Sequence, residues 1–361
     1  MSGTRIDGLT RAFGHLADRR AATRILAAGS LGLFSLLAAY DAGSKKKKTK
    51  KGKKKKKKSG QCTSNQEKCG GACCTANQPC IGGQCLGACQ FAVDDALKTM
   101  TLQADCATTE TIVIPDQFTL QGDGKTIHMA GPASGYQSVV VANTAVRAGL
   151  LIQNSIGSVK NLTIDQDALQ CDSGTHSAIA MAKGKGDIES VDIVVSKDNI
   201  ECYRGIAAEA GANNDAVNVR AVTIAGGHTR AMAISGPTPP DGTSRVAGEI
   251  RDCTIEDAFF GMLVNASRHQ ITGNTVHANF GVLVGVFPSD VLIDDNTITG
   301  LTGATNPAGI LYNPDTKGTV SNNATSGFTC GISIQTNPGD VALSDNTFPE
   351  PDNTSDLCFA T

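Results

Sequence analysis

Aromatic residues are scarce in this chain. Its 361 residues include no Trp and only 4 Tyr, and Phe, Trp and Tyr together make up 4% of the sequence. Few rings are therefore available for stacking on sugars. The chain instead holds 40 Gly and many Asn, Asp and Thr, a composition that favours short β-strands joined by numerous turns and disfavours a helical bundle.

Basic residues are concentrated at one end. Residues 1–58 hold 17 of the 32 Lys and Arg residues but only 3 of the 34 acids, which leaves 15 basic and 31 acidic residues, a formal charge of −16, for residues 59–361. Nucleic-acid binding requires clustered Lys and Arg. The folded body is therefore predicted not to bind nucleic acid.

The first 60 residues divide into two segments. In residues 1–44, arginines including Arg11, Arg19, Arg20 and Arg24 precede the uncharged run Ile25 to Tyr40, which predicts a cleaved export signal or, alternatively, an uncleaved membrane anchor. Residues 45–60 carry twelve lysines between Lys45 and Lys58 and are predicted to form a disordered, solvated tether. This tether is either a charged spacer or an attachment to an anionic membrane or wall polymer. We expect a secreted or cell-surface protein.

The cysteines also indicate an oxidising, extracellular compartment. Seven of the 13 lie between Cys62 and Cys89, and residues 61–89 are too short and polar to fold without cross-links, so a disulfide-rich module is predicted. A zinc site is disfavoured because no His lies nearby. Six cysteines allow fifteen pairings; the adjacent third and fourth cysteines resemble those of cystine-knot miniproteins, and this resemblance implies Cys62–Cys74, Cys69–Cys80 and Cys73–Cys85.

The remaining cysteines fit a long domain over residues 90–361. Cys89 is expected to pair with Cys106, and Cys171–Cys202 and Cys330–Cys358 have the spacing of staples between neighbouring coils. At the start of this domain, Phe91, Leu97 and Met100 are spaced as one helical face, which predicts a capping helix.

An eightfold repeat dominates the domain. Each copy has an apolar residue, a core-type residue three positions later and a further residue, usually apolar, two positions beyond that. The first positions are Val159, Ile188, Val219, Ile250, Ile271, Ile293, Val320 and Leu343. The third positions are Ile164, Ile193, Ile224, Ile255, Val276, Ile298, Thr325 and Phe348. A second phrase, Gly or Ala followed by alternating aliphatic residues, falls between successive copies.

This spacing predicts two short strands that meet at a corner, with successive copies stacked as coils of a solenoid. The middle position is Asn in the last four copies, at Asn274, Asn296, Asn323 and Asn346. Stacked one above another, these amides can donate to one neighbour and accept from the other, which predicts a buried asparagine ladder.

These repeats resemble the right-handed parallel β-helix of the pectate-lyase-like superfamily, which includes polysaccharide lyases, glycoside hydrolases and NosD-like proteins. The resemblance covers residues 105–361, and "IPDQFTLQGDGKTI" is similar to a first-coil phrase of that family. It implies an all-β solenoid of about ten coils. It does not specify an activity: no tryptophan-containing lyase phrase is present, "GGH" at 226–228 lacks its hydrolase neighbours, and no dense Met or His cluster suits copper.

Outward positions are the candidates for chemistry. One predicted surface patch contains Arg220, Arg251, Asp252, Asp294, Asp295, Glu256 and His277. The resemblance implies that a lyase needs calcium-binding carboxylates beside a basic group; the competing interpretation is an ion-pair ladder between coils. His176 and His228 precede inner strands two coils apart and are expected to face solvent.

Together these features predict a monomeric, exported protein that binds or scaffolds an extracellular polymer, by resemblance a polysaccharide. No cofactor is expected, apart from calcium if the protein is a lyase. A uronate lyase, ahead of a glycoside hydrolase, is the alternative, and a purely structural surface spacer is the third possibility.

Overall fold

The computed structural model describes residues 67–69, 72–74, 80–81, 83–172, 174–196, 202–211, 215–236, 246–285, 288–302, 307–349 and 355–359. The predicted export signal or anchor, the lysine tether and Cys62 lie outside this part of the chain. Among the described residues, no helix is long and apolar enough to cross a bilayer.

The small N-terminal module consists of two antiparallel hairpins, β1 (Glu67–Cys69) with β2 (Ala72–Cys74) and β3 (Cys80–Ile81) with β4 (Gln84–Cys85). Disulfides Cys69–Cys80 and Cys74–Cys85 join them. The pairings Cys62–Cys74 and Cys73–Cys85 that the cystine-knot resemblance implied are therefore wrong. Adjacent cysteines on a strand point to opposite faces, and the face that carries Cys74 is the one that meets Cys85.

A hairpin, and not the predicted helix, begins the large domain. Strands β5 (Phe91–Asp94) and β6 (Thr99–Leu102) pair antiparallel, and Asp94 Oδ1 accepts hydrogen bonds from the backbone N–H groups of Ala96 and Leu97 in the turn. Strand β6 also pairs in parallel with β9 (Phe118–Pro132). This pairing with the solenoid overrides the helical spacing and leaves Leu97 75% exposed at the hairpin tip.

Three parallel sheets form the solenoid. The first contains β6, β9, β12 (Gly157–Gln170), β14 (Gly186–Val195), β16 (Val217–Arg220), β19 (Val246–Arg251), β21 (Ser267–Thr272), β23 (Asp290–Asp294), β26 (Lys317–Ser321) and β29 (Val341–Ser344). The second contains β7 (Cys106–Thr108), the later parts of β9, β12 and β14, then β17 (Thr223–Gly226), β20 (Thr254–Asn265), β22 (Thr275–Val284), β24 (Thr297–Gly300) and β27 (Ala324–Ser326).

The third sheet contains β8 (Ile112–Val113), β11 (Thr144–Gln153), β13 (His176–Gly184), β15 (Tyr203–Ala210), β18 (Arg230–Ser235), the later parts of β20 and β22, β25 (Ala308–Tyr312), β28 (Cys330–Ile334) and β30 (Ser355–Phe359). Single 3₁₀ turns lie at Ala133–Gly135 and Pro338–Asp340. The described residues contain no α-helix, and the predicted all-β solenoid is confirmed.

The strand register follows the sequence repeat. The first repeat positions pair from coil to coil, beginning with Val159 opposite Ile188 and continuing to Val320 opposite Leu343. The third positions pair in the same way from Ile164 opposite Ile193 to Ile298 opposite Thr325. Because each column points inward, one continuous apolar core runs along the solenoid axis.

A close backbone approach accounts for glycine in the second phrase. A Cβ built on Gly281 lies 2.3 Å from the Ile298 side chain and 2.3 Å from the carbonyl oxygen of Gly309. Only glycine lets the chain turn into the third sheet at this distance. The repeated Gly therefore belongs to the architecture of the corner and does not by itself mark a binding site.

An additional strand covers part of the third sheet. Strand β10 (Ser138–Val141) pairs antiparallel with the start of β11, and Val139 and Val141 pack with Leu151 and Ala180 in a second apolar cluster on the outside of that sheet. The outer face of the sheet is thus closed over its early coils.

Three further disulfides fasten the solenoid. Cys89 is joined to Cys106, Cys171 to Cys202 and Cys330 to Cys358, the pairs expected from the sequence. Cys253 is buried and free. Five disulfides among the described residues are typical of an oxidising, extracellular environment.

Candidate functional site

A left-handed residue turns the chain between the first and second sheets in every repeat. Asn161, Ser190, Ala221, Asp252 and Asp295 have φ values of 54°, 55°, 50°, 56° and 56° at equivalent corner positions. This geometry stacks the preceding side chains outward in one column, so Arg220 lies directly opposite Arg251. The predicted patch begins on this column.

Ion pairs occupy the basic end of the patch. Arg220 Nε donates to Glu249 Oε1, and Arg220 Nη1 lies 3.4 Å from Asp187 Oδ1. Arg251 Nε lies 3.3 Å from the same Glu249 oxygen, and its Nη1 lies 3.7 Å from Asp252 Oδ2. The hydrogen bond from Arg220 to Glu249 raises the pKa of the guanidinium above its already high ordinary value. Arg220 is therefore a poor proton acceptor, and this end of the patch has the geometry of an ion-pair ladder.

The acidic end of the patch is separate. Thr272 stands between Arg251 and Asp294 in the column, which places these two residues two coils apart. Asp294 Oδ1 accepts hydrogen bonds from Ser321 Oγ at 2.6 Å and Asn322 Nδ2 at 2.8 Å, whereas Asp295, the corner residue of the same coil, is exposed. The structure therefore separates Asp294 and Asp295 from both arginines of the patch.

Glu256 and His277 lie in the second sheet, at a β-bulge. At the bulge, Glu256 and Asp257 of β20 together lie opposite the single residue His277 of β22. Asp257 has a φ of 57°. His277 Nδ1 is 3.2 Å from Asp257 Oδ1. The partner of His277 in this structure is thus Asp257, a residue that the predicted patch did not include.

The asparagine ladder lies inside the solenoid. Asn274 Nδ2 donates to Asn296 Oδ1 at 2.8 Å, Asn296 Nδ2 donates to Asn323 Oδ1 at 2.8 Å, and Asn323 Nδ2 donates to Asn346 Oδ1 at 3.0 Å. The same three oxygens also accept from the backbone N–H of the preceding ladder residue. These amides satisfy one another and the corner backbone, so they are architectural.

His176 and His228 are both fully buried, so the expectation that they face solvent is wrong. Gln166 lies between them, 3.1 Å from His176 Nδ1 and 3.2 Å from His228 Nε2. Burial lowers the pKa of His176 to about 3 and that of His228 to about 4. Both imidazoles are therefore neutral at pH 7, and the network helps to hold the corner before the third sheet.

An unpredicted column of cations and rings runs along the start of the third sheet. Arg204 of β15 lies opposite Arg230 of β18, Arg230 lies opposite Phe260, and Phe260 lies opposite Phe280. Arg230 Cζ is 5.9 Å from the centroid of the Phe260 ring. Both arginines are 4% exposed. Four successive coils therefore form one continuous cation–aromatic strip.

The aromatic end of the strip reaches the surface. Phe260 and Phe280 are stacked with their centroids 4.8 Å apart and an interplanar angle of 23°, and Phe259 packs edge-on against Phe260 at 4.9 Å. All three rings are half-buried. They leave apolar ring surface exposed where the chain enters the third sheet, which is the kind of surface that the low aromatic content had made improbable.

A signal for this strip was present in the sequence. Arg204, Arg230, Phe260 and Phe280 each stand immediately before the Gly or Ala that opens the second phrase. These four residues fall outside the aliphatic core positions of the repeat. Aligning the copies of the second phrase on the residue that precedes its Gly or Ala would have revealed the column.

The fold and the strip together define a parallel β-helix protein with a solvent-facing aromatic edge. Residues 204–356 match a protein family described as right-handed beta helix region, and this match covers all four residues of the strip. Searches of curated proteins and of solved structures each found no match.

Proposed function

We propose that this protein binds an extracellular polysaccharide along the cation–aromatic strip, at the surface of the cell that exports it. The observation that supports this most directly is the stack of half-buried rings, Phe259, Phe260 and Phe280. Partly exposed aromatic rings offer apolar surface that packs against the C–H groups of sugars.

The direction of the strip suits a polymer. Its residues occupy consecutive coils, and neighbouring strands of a sheet are about 4.8 Å apart. The rings and Arg230 therefore follow one another along the solenoid axis, on a rigid sheet whose register is fixed by the inner columns. A chain of sugars lying along this axis contacts the exposed parts of Phe260 and Phe280 on successive coils.

The N-terminal features support binding at the cell surface. Disulfides support an oxidising environment, and the sequence supports export through residues 1–44 followed by the lysine tether. Twelve lysines next to an anionic membrane or wall polymer each contribute about 1 kcal/mol at low ionic strength. We infer that the tether holds the acidic body at the surface while the solenoid engages the polysaccharide.

Binding, and not cleavage, is the function that the geometry supports best. The predicted lyase residues Arg220 and Arg251 are engaged with acids, and Asp294 lies two coils from Arg251. The strip itself brings together guanidinium groups and rings, without a carboxylate pair among its members.

A polysaccharide panel tests the proposal. We expect the full chain to bind at least one polymer, and Phe260→Ala to weaken that binding by roughly 10-fold to 100-fold, because about 1.5 to 3 kcal/mol is associated with burying a large apolar side chain. Phe359→Ala is the matched control, since Phe359 is 48% exposed in β30 and lies outside the strip.

Three outcomes would contradict the proposal. Equal loss in both variants would exclude the strip as the binding surface. No binding to any polymer, with the fold retained, would favour a structural spacer. Unsaturated ends detected by ultraviolet absorbance on uronate polymers, abolished by a chelator and by Arg251→Ala, would identify a lyase instead.

A further inference from the structure

Arg204 is a buried cation at the covered end of the strip. It is 4% exposed, and it lies between Ser177 of β13 and Arg230 of β18 in the register of the third sheet. Its Nε is enclosed and has no hydrogen-bond partner, and the Ser177 hydroxyl beside it in the column is also enclosed without a partner. Two unused polar groups thus adjoin each other on successive coils.

No acid among the described residues neutralises Arg204. On the neighbouring face of the solenoid, Arg220 contacts Asp187 and Glu249. The charged group that acts on Arg204 is Arg230, which has the same sign; burial, followed by this repulsion, lowers the pKa of Arg204 to about 9. A buried charge is normally paired or hydrogen-bonded, so the guanidinium of Arg204 itself is short of an anion.

We infer that Arg204 binds an anionic substituent, a carboxylate or a sulfate ester, of the polysaccharide that the aromatic strip holds. This inference rests on the proposed function. The planar guanidinium matches either group because its N–H donors form a fork that two oxygens can accept. The rings hold the sugar faces, and Arg204 makes the site selective for charged polymers over neutral ones.

Small anions test the subsite without a glycan. Thermal unfolding of the full chain is measured in sodium chloride and after replacement of part of the chloride by sulfate or acetate at constant ionic strength. We expect either anion to raise the Tm of the wild type and of Arg268→Gln by a few degrees. We expect a smaller rise for Arg204→Gln, which keeps only the general stabilisation that these anions give to any folded protein. Arg268 is the matched control because it is exposed on β21.

Polymers then distinguish the two anion sources. Polygalacturonate presents carboxylates, dextran sulfate presents sulfate esters, and dextran is neutral. Binding to at least one charged polymer should exceed binding to dextran 10-fold or more. It should fall at least 10-fold in Arg204→Gln and less in Arg204→Lys, which keeps the charge but loses the fork. Arg268→Gln should bind as the wild type does.

The two experiments distinguish failure of the anion subsite from failure of the proposed function. Equal binding of dextran and charged polymers, unchanged in Arg204→Gln, overturns the anion subsite and leaves the proposed function standing. Absence of all polymer binding overturns the proposed function, while anion-dependent Tm shifts that are smaller in Arg204→Gln alone still support the subsite. If both Arg204→Gln and Arg204→Lys unfold in every buffer, Arg204 has a structural role and the inference is wrong.

Discussion

Replacing Asn296 by Leu is the sharpest test of the solenoid interior. Asn296 Oδ1 accepts two hydrogen bonds from Asn274, from the backbone N–H at 3.0 Å and from Nδ2 at 2.8 Å. Both donors are buried and lose this acceptor in Asn296→Leu. At about 1 to 3 kcal/mol for each unsatisfied donor, and with about 1.5 to 3 kcal/mol returned by the buried Leu side chain, the middle of these ranges gives a fall of about 2 kcal/mol in the free energy of unfolding.

The end of the ladder provides a matched control. Asn346 Oδ1 also accepts two hydrogen bonds, from the backbone N–H and Nδ2 of Asn323, but Asn346 is only partly buried. Water can replace its oxygen, so Asn346→Leu should cost less than half as much. Urea titration of both variants measures the difference. Equal losses, or an unchanged midpoint for Asn296→Leu, would refute the account of the ladder as a buried, mutually satisfied network.

Two further stability measurements follow from the corner and from the buried histidines. Ala221 has a φ of 50° without the polar side chain of its counterparts, so Ala221→Gly should raise the free energy of unfolding by about 0.5 to 1 kcal/mol; a lower urea midpoint would contradict this. His269 of β21 is fully buried, as His176 and His228 are. Burial lowers the pKa of His176, His228 and His269 to about 3, 4 and 4 from an ordinary 6.5. Below pH 6.5 the unfolded chain therefore takes up protons that the folded protein does not, and each His removes about 1.4 kcal/mol of stability per pH unit down to its folded pKa. The urea midpoint should be constant above pH 7 and fall towards pH 4.5, and the fall should be shallower in His269→Gln. An identical fall in that variant would contradict a contribution of His269 to the pH dependence.

Residue patterns within a single repeat were sufficient to predict the solenoid. An aliphatic residue every 21 to 31 positions, with a fixed offset to a second and a third core position, predicted columns that the register reproduces from Val159 to Leu343. Such patterns work because each coil contacts mainly its neighbours. The same logic predicted Cys171–Cys202 and Cys330–Cys358 from one-coil spacing.

Local patterns failed where a distant strand competed with them. Phe91, Leu97 and Met100 have helical spacing, but β9 offers backbone partners to β6, and the segment becomes a hairpin. The adjacent Cys73 and Cys74 point to opposite faces of β2, and the fold of the two small hairpins, not the order of cysteines along the chain, selects Cys85 as the partner of Cys74.

The sequence by itself determined the coil, its inward columns and the buried asparagine ladder, because these depend on offsets within one repeat and on identical contacts between neighbouring copies. Only the tertiary structure decided which outward residues act together. It neutralised Arg220 and Arg251 with acids, enclosed His176 and His228, and aligned Arg204 with the rings of Phe260 and Phe280. Burial and charge pairing depend on which strands and loops cover each coil, and those neighbours are distant in the chain.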